Sequence, residues 1–230
     1  MASAFQHPMK PFVIFAQIQT KGEDKIKIEL ENVGPVVKHE SQQPECDSYC
    51  FLQPLEGNKS RFTVYEAYDN KEYAMNNHRN SDAFKAFREV VASSDTRQSL
   101  DVQAFTPKGG FLWRSEPPKL PLGDQFIWIA FLKATPGKRD ELISYALTHA
   151  GNVHRTEDET LSFVVLEKDD DKETVVLFER YTSEEYFEKV HKTSETMQQY
   201  RANIGPILAD RNSEGFAARR GFLDKREAVA

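Results

Sequence analysis

Two stretches of the chain share one pattern of apolar and polar positions. Apolar residues dominate 12–19 and 126–133, and each stretch is followed by a turn that contains a glycine, Gly22 or Gly137. This pattern is typical of a strand that leads into a helix. Two further pairs of predicted strands follow in the same order: 45–49 with 159–163, and 61–68 with 174–181. The constant spacing predicts that one folding unit occurs twice.

The closest internal match follows the third predicted strand. Six residue types recur at the same spacing: Glu66, Tyr68, Glu72, Tyr73, His78 and Ser81 correspond to Glu179, Tyr181, Glu185, Tyr186, His191 and Ser194. Helices are predicted from near Asn70 and Ser183, and each copy closes with a predicted strand, 99–105 or 215–222. The resulting order is β-α-β-β-α-β in each copy, which is the ferredoxin-like arrangement.

The segment between the two copies is rich in proline and glycine, which break regular structure. We therefore predict three parts of the chain: an N-terminal domain over 1–106, a semi-rigid linker over 107–124 and a C-terminal domain over 125–230.

Composition excludes several classes of function. The chain has 30 Lys and Arg against 36 Asp and Glu, a net charge of -6, which gives no basic surface for nucleic acid or an anionic membrane. No apolar run approaches the roughly 18 residues of a membrane span, and the start lacks the layout of a signal peptide. We expect a soluble, cytoplasmic protein.

Cys46 and Cys50 cannot form a four-ligand zinc site by themselves and are expected to be buried, inert thiols. Without a phosphate loop or a dinucleotide fingerprint, we expect no cofactor and no metal.

The third strand of each copy places a carboxylate in an apolar row. Glu66 shares a strand face with Tyr68, and Glu179 shares one with Tyr181. A buried carboxylate needs a partner, and the nearby histidine, His78 or His191, or a tyrosine hydroxyl could supply it. The pair could join helix to sheet structurally, or it could serve chemistry by raising the histidine pKa. The sequence leaves both interpretations open.

The two copies differ in ways that favour the second one as the active half. His149 lies on an apolar helical stripe that faces the predicted sheet, whereas Gly34 and Pro35 occupy that region of the first copy and should kink or end its helix. A histidine in such a stripe can also be a satisfied core residue. Trp128 of the second copy corresponds to Ile14 of the first. If only one pocket works, we predict that it is the C-terminal one.

Each copy resembles an antibiotic biosynthesis monooxygenase (ABM) domain of the dimeric α/β-barrel superfamily. The resemblance is carried by Thr20-Lys-Gly22 and Thr135-Pro-Gly137, by Glu45-Cys46 and Glu159-Thr160, and by Glu-x-Tyr followed by His and Ser. It implies an α+β fold in which two ferredoxin-like βαββαβ units pair their antiparallel sheets as an intramolecular dimeric α/β barrel. The protein would be a monomer with an internal pseudo-dimer, or a further dimer of that form.

The resemblance also implies chemistry. Family members oxidise phenols and quinols with O2 without flavin or metal, in pockets between sheet and helices. His191 would be the base or proton relay, Glu179 its orienter, and Tyr186 and His149 donors to substrate oxygen. The same roles fall on His78, Glu66 and Tyr73 in the first copy. The remaining expected contacts with the aromatic substrate are Trp128, as a stacking wall, Tyr181 and Tyr68.

The predicted function is a cofactor-independent monooxygenase that acts on a polyketide-like phenol in secondary metabolism. Two alternatives stay open: a cyclase, dehydratase or decarboxylase that uses the same pocket, and a non-catalytic ligand-binding or stress-related module. The Asn, Trp and Arg set of many family oxygenases is not complete in this chain. Haem degradation is disfavoured, because Phe15 and Ala16 stand where haem-degrading relatives have Asn.

Overall fold

The computed structural model describes residues 9–115 and 120–225. The first repeat contains β1 (Phe12–Thr20), α1 (Glu23–Asn32), α2 (Gly34–Gln42), β2 (Cys46–Pro54), β3 (Arg61–Tyr68), a π-helical turn (Tyr73–His78), α3 (Asp82–Ser93) and β4 (Arg97–Phe111). The second contains β5 (Phe126–Ala134), α4 (Arg139–Thr156), β6 (Thr160–Lys168), β7 (Thr174–Tyr181), α5 (Glu184–Lys189), a 3₁₀ turn (His191–Thr193), α6 (Glu195–Ile204) and β8 (Leu208–Phe222).

Local sequence explains where the helices begin and end. Pro35 lies in the first turn of α2, and the chain forms two short helices, α1 and α2, where the second repeat has the continuous 18-residue α4. This confirms the predicted break, because proline cannot continue a preceding helix. The repeated serines are N-caps: Ser81 Oγ accepts a hydrogen bond from Phe84 N, and Ser194 Oγ accepts one from Met197 N.

The chain divides into two compact units. Among the described residues, the N-terminal unit contains 10–105 and 216–225, and the C-terminal unit contains Met9, 106–115 and 120–215. Hydrogen-bonded strands follow the order β1-β3-β2-β8-β5-β7-β6-β4, and the order is closed because β4 also pairs with β1. The α+β class with two ferredoxin-like units is therefore confirmed.

The closing strands are longer than predicted and start elsewhere. β4 ends at Phe111, five residues into the segment predicted as a linker, and β8 already begins at Leu208. Each has 15 residues, so both predicted closing strands are confirmed, but 99–105 covers only the first part of β4 and 215–222 only the last part of β8. The missed signal is a repeat of Gly-Phe-Leu followed two residues later by a basic residue, at 110–114 and 221–225.

The two glycines of this repeat are required by their surroundings. Gly110 and Gly221 have positive φ angles of 99° and 121°. A Cβ atom at Gly110 would lie 2.0 Å from the carbonyl oxygen of Phe163, and one at Gly221 would lie 2.0 Å from that of Tyr49. Only glycine fits such a close backbone approach, so each strand is fixed against its neighbour, β6 or β2.

A basic residue just beyond each closing strand binds the end of a helix. Arg114 donates hydrogen bonds to the carbonyl oxygens of Val153, His154, Glu157 and Thr160 at the C-terminal end of α4. Lys225 Nζ donates to the carbonyl oxygen of Gln43, the C-cap of α2. Both cations satisfy free carbonyl groups where the helix dipole is negative, and both hold the chain that leads into the second strand of their unit.

Each unit has its own apolar core between its sheet face and its helices. Both cysteines are buried thiols, as predicted, and burial raises the pKa of the Cys46 thiol well above its usual range. Within 9–115 and 120–225, no helix combines the length and the apolar character needed to cross a membrane.

Candidate functional site

The third-strand carboxylates are buried and bonded to tyrosine. Tyr68 OH donates to Glu66 Oε2 at 2.9 Å, and Tyr181 OH donates to Glu179 Oε2 at 2.6 Å. The pairs form because residues two apart on a strand share a face. Burial raises the pKa of both Glu66 and Glu179, although the nearby histidine and the tyrosine hydroxyl act in the opposite direction. Each carboxyl group therefore keeps its proton to higher pH than an exposed glutamate does.

The repeated histidines are bonded to a different carboxylate. His78 Nδ1 lies 2.8 Å from Glu40 Oε1, and His191 Nδ1 lies 2.8 Å from Glu157 Oε2. All four side chains are buried. A carboxylate on Nδ1 fixes the ring and leaves Nε2 to face another group.

Sequence reasoning missed Glu40 and Glu157. They do not occupy equivalent positions: Glu40 is six residues before Cys46, whereas Glu157 is three before Thr160, the residue that corresponds to Cys46 in the strand register. The available signal was helical spacing, because Glu40 follows the buried Val36 by four residues. A carboxylate on such an apolar stripe needs a partner on the facing element.

In the C-terminal unit, the third-strand glutamate lies close to the repeated histidine, as the sequence suggested. His191 Nε2 lies 3.8 Å from Glu179 Oε2, so His191 stands between two carboxylates. Burial raises the pKa of Glu157, but hydrogen bonds from His191 and Thr160 and the charges of His191 and His149 together lower it below its ordinary value.

In the N-terminal unit, Glu66 and His78 line a cavity of about 50 Å³ between sheet and helices. We call it the N-terminal cavity. Its wall is apolar, with Ile14, Ala16 and Val64 contributed by the sheet. Tyr49, Glu66 and His78 supply the polar groups at one end, and Arg79, Leu100 and Val102 belong to its lining as well.

The equivalent space in the C-terminal unit holds two large rings. Phe187 corresponds to Ala74, and Trp128 corresponds to Ile14, and their ring centroids are 4.7 Å apart. Phe187 also stacks on His191 at 5.8 Å. Trp128, predicted as a wall against substrate, therefore packs against the protein's own phenylalanines. The N-terminal cavity contains a repeated Glu and His, whereas the sequence favoured the C-terminal half; that preference stays a prediction.

His149 points inward from α4, as its stripe predicted, but it does not join the glutamate pairs. Its ring stacks on Tyr200 with centroids 4.7 Å apart and an interplanar angle of 4°, and neither ring nitrogen has a hydrogen-bond partner among the described residues. Burial, together with the charge of His191, lowers the pKa of His149 to about 3. His149 is thus a neutral imidazole at physiological pH.

The remaining candidate residues are Tyr73 and Tyr186. Tyr73 OH lies 3.4 Å from Glu40 Oε2, so it contacts the carboxylate that holds His78. Burial and the charge of Glu157 raise the pKa of Tyr186 to about 12, and its ring lies 6.4 Å from that of Tyr181. In the part of the chain that the structure describes, no group of three or more His, Cys, Asp or Glu side chains is arranged to hold a metal ion.

The chain is an α+β protein of two ferredoxin-like units, each with a buried Glu-Tyr pair and a buried His-Glu pair. Residues 11–90 and 125–203 match the model of the antibiotic biosynthesis monooxygenase family. Because these two matches cover more than half of the chain, the protein belongs to this family. Family membership supports a monooxygenase type of function.

Several solved structures have a similar fold. A candidate monooxygenase of Lactobacillus acidophilus NCFM superposes with a TM-score of 0.74 at 10% identity, covering 91% of this chain and 94% of that one. A candidate monooxygenase of Fusobacterium nucleatum gives 0.77 at 14% identity, with 95% and 98% covered. An anthrone oxidase-like protein gives 0.61 at 12% identity, with 92% of both chains covered. No curated protein matches the sequence.

Proposed function

We propose that this protein is a cofactor-independent monooxygenase that oxidises an electron-rich phenol or quinol with O2, and that the reaction takes place in the N-terminal cavity. The observation that carries the proposal is the position of the Glu40–His78 pair beside a cavity whose sheet wall is apolar and whose lining also includes Arg79 and Arg97. A base oriented by a carboxylate and facing an apolar wall suits the removal of a phenolic proton.

His78 is the proposed general base. Its Nδ1 is engaged by the fully buried Glu40 carboxylate, so the proton of the neutral ring is assigned to Nδ1 and Nε2 is left to accept a proton. When Nε2 takes the phenolic proton, the imidazolium that forms is stabilised by Glu40. The phenolate that remains is the electron donor for O2.

The proposed reaction balances without a further reductant. The phenolate passes one electron to O2, and the phenoxyl radical and superoxide combine with formation of a C–O bond. The peroxide takes the proton from His78. Loss of the ring C–H proton then breaks the O–O bond and releases water, which leaves a quinone carbonyl. The substrate loses four electrons and O2 gains four, with one oxygen atom in the product and one in water.

Glu66 and the rim of the cavity support this assignment. The raised pKa of Glu66 lets a protonated carboxyl donate a hydrogen bond to a substrate or peroxide oxygen, while Tyr68 holds its other side. Leu100 and Val102 are 47% and 38% exposed beside the cavity. An apolar rim of this kind favours a polycyclic, polyketide-like phenol of secondary metabolism, with its hydroxyl group inside and its outer ring over the rim.

The experiment is O2 uptake by chelator-treated protein with 1,8-dihydroxyanthrone, corrected for the rate without protein. We expect one O2 consumed per quinone formed and one ¹⁸O atom in the product from ¹⁸O2. Turnover at the same rate under argon would contradict the proposal and favour a cyclase, dehydratase or decarboxylase. Binding of the anthrone without any turnover would favour a ligand-binding module.

A further inference from the structure

A second cavity lies in the C-terminal unit, between α4 and α6. It has a volume of about 60 Å³, and we call it the helical groove. His149 and Tyr200 form its base, and Thr148, Asn152, Gln199 and Asn203 are among the residues that line its sides. The helical groove shares no residue with the N-terminal cavity.

The base of the helical groove carries polar atoms without protein partners. His149 is 2% exposed and Tyr200 is 5% exposed. Among the described residues, neither nitrogen of His149 nor the hydroxyl oxygen of Tyr200 makes a hydrogen bond. Buried polar groups of native proteins are nearly always hydrogen-bonded, since leaving them unpaired costs folding free energy. Two such side chains in contact, both lining one cavity, point to a ligand as the missing partner.

The lining specifies a neutral ligand. The sides present hydroxyl and carboxamide groups, and no Asp, Glu, Lys or Arg belongs to the lining. A neutral imidazole offers one donor and one acceptor, and a tyrosine hydroxyl can do both. A ligand hydroxyl group, which also donates and accepts, matches this base, whereas a charged ligand would be left without a counter-ion in a desolvated site.

The N-terminal unit shows that folding does not require these polar groups. Phe87 stands at the position of Tyr200, and Pro35 lies where the first repeat would carry the counterpart of His149. Phe87 is buried in the apolar core of its unit, so a ring without a hydroxyl packs at this position. The polar base is therefore a specific feature of the C-terminal unit, in a position where the other unit buries a ring without a hydroxyl.

We propose that the helical groove is a binding site for a small neutral ligand that bears a hydroxyl group, either a phenol or an alcohol, held by His149 and Tyr200. The site is separate from the proposed oxygenase cavity and does not depend on the activity there. Gln199 and Asn203, both exposed on α6, would contact the part of the ligand that remains outside.

The test uses the full chain at pH 7 with phenol, cyclohexanol and benzene as probes, read by NMR of the ¹³C,¹⁵N-labelled His149 ring. Phenol and cyclohexanol should shift the His149 signals saturably, and benzene, which lacks the hydroxyl, should bind at least tenfold more weakly. Binding of phenol without binding of cyclohexanol would identify an aromatic ligand. Binding of both would identify the hydroxyl as the recognised group. Equal binding of benzene, or no saturable shift with phenol or cyclohexanol, would overturn the proposal.

Two variants separate binding from folding. Tyr200→Phe reproduces the ring of Phe87 and should weaken phenol binding at least tenfold while the melting temperature stays unchanged or rises. Asn203→Leu places an apolar side chain at the exposed mouth and should also weaken binding with no loss of fold. Phenol binding of wild-type strength in either folded variant would refute the site. Activity with 1,8-dihydroxyanthrone is measured separately, so failure of one proposal is distinguishable from failure of the other.

Discussion

Three buried histidines of this protein differ in one contact. His78 and His191 each have a carboxylate on Nδ1 at 2.8 Å, whereas His149 has no hydrogen bond among the described residues. A carboxylate makes a buried imidazolium tolerable, and burial without one favours the neutral ring. The first two are therefore suited to accept a proton, and His149 is suited to remain neutral.

The acid stability of the protein should depend on His149. Its pKa is about 3 in the folded protein against 6.5 for the ordinary side chain, so below pH 6.5 the unfolded chain binds a proton that the folded protein does not. The free energy of unfolding therefore decreases by about 1.4 kcal/mol per pH unit as the pH falls from 6.5 toward 3. His149→Phe should remove this dependence.

The measurement is urea unfolding of wild type and His149→Phe at pH 7 and pH 5. We expect wild type to lose about 2 kcal/mol more than the variant between these values. An identical pH dependence in wild type and His149→Phe would show that His149 takes up its proton in the folded state.

At the residue scale, the sequence predicted the Glu-x-Tyr and His positions because they recur within the chain. It did not predict Glu40 and Glu157, because the two units place a carboxylate on the histidine from non-equivalent positions. A contact between a helix end and a turn some 35 residues away depends on how α2 or α4 ends. That geometry is set by Arg114 and Lys225, which were predicted to belong to the linker and to the C-terminal domain.

Among the elements, the closing strands β4 and β8 were the least predictable. The strand pattern is weak because many of their residues are exposed, so the apolar periodicity that identified β1 and β5 is missing. The glycine of the Gly-Phe-Leu repeat, rather than any apolar pattern, marks where each strand crosses closely over its neighbour.

Substitution of these glycines should destabilise the protein strongly. A Cβ atom at Gly110 or Gly221 would overlap a carbonyl oxygen at 2.0 Å, in a backbone conformation with positive φ. We expect Gly110→Ala and Gly221→Ala to lower the free energy of unfolding by about 3 kcal/mol or more, measured by chemical denaturation.

Gly205 is the matched control for this prediction. It has helical backbone angles, and a Cβ atom there meets nothing within 4 Å. Gly205→Ala should be neutral or stabilising by up to about 1 kcal/mol. If Gly110→Ala and Gly205→Ala behaved alike, the close approach of β4 to β6 would not exist in solution.

For the whole molecule, the two units share a backbone plan and differ in the side chains that fill it. The repeat made the fold predictable, because each copy supported the interpretation of the other. The location of the cavity was not predictable, since it depends on the summed volume of residues such as Ala74 and Ile14 against Phe187 and Trp128. In the second copy, Trp128 and Phe187 pack against each other beside His191, whereas His149 and Tyr200 line the separate helical groove.

Substituting Ala74 by the phenylalanine found at the equivalent position of the C-terminal unit should fill the N-terminal cavity. Ala74→Phe gives the N-terminal unit the residue of the C-terminal unit, and the added ring occupies the N-terminal cavity beside His78. We expect loss of at least 90% of anthrone oxidation, with a destabilisation of about 1–3 kcal/mol from overpacking. The control is Ala92→Phe on the exposed side of α3, which should retain the wild-type rate. Full activity in a folded Ala74→Phe protein would place the reaction elsewhere.

The most direct test of the account compares His78→Gln with His191→Gln, two equivalent substitutions in one chain, by initial rates of O2 uptake with 1,8-dihydroxyanthrone. Removal of a general base lowers kcat by about 10²–10⁴-fold. We expect a loss of this size in His78→Gln. In His191→Gln we expect a far smaller loss, because Phe187 fills the space beside His191 that corresponds to the N-terminal cavity. A larger loss in His191→Gln, or wild-type turnover in folded His78→Gln, would contradict the account.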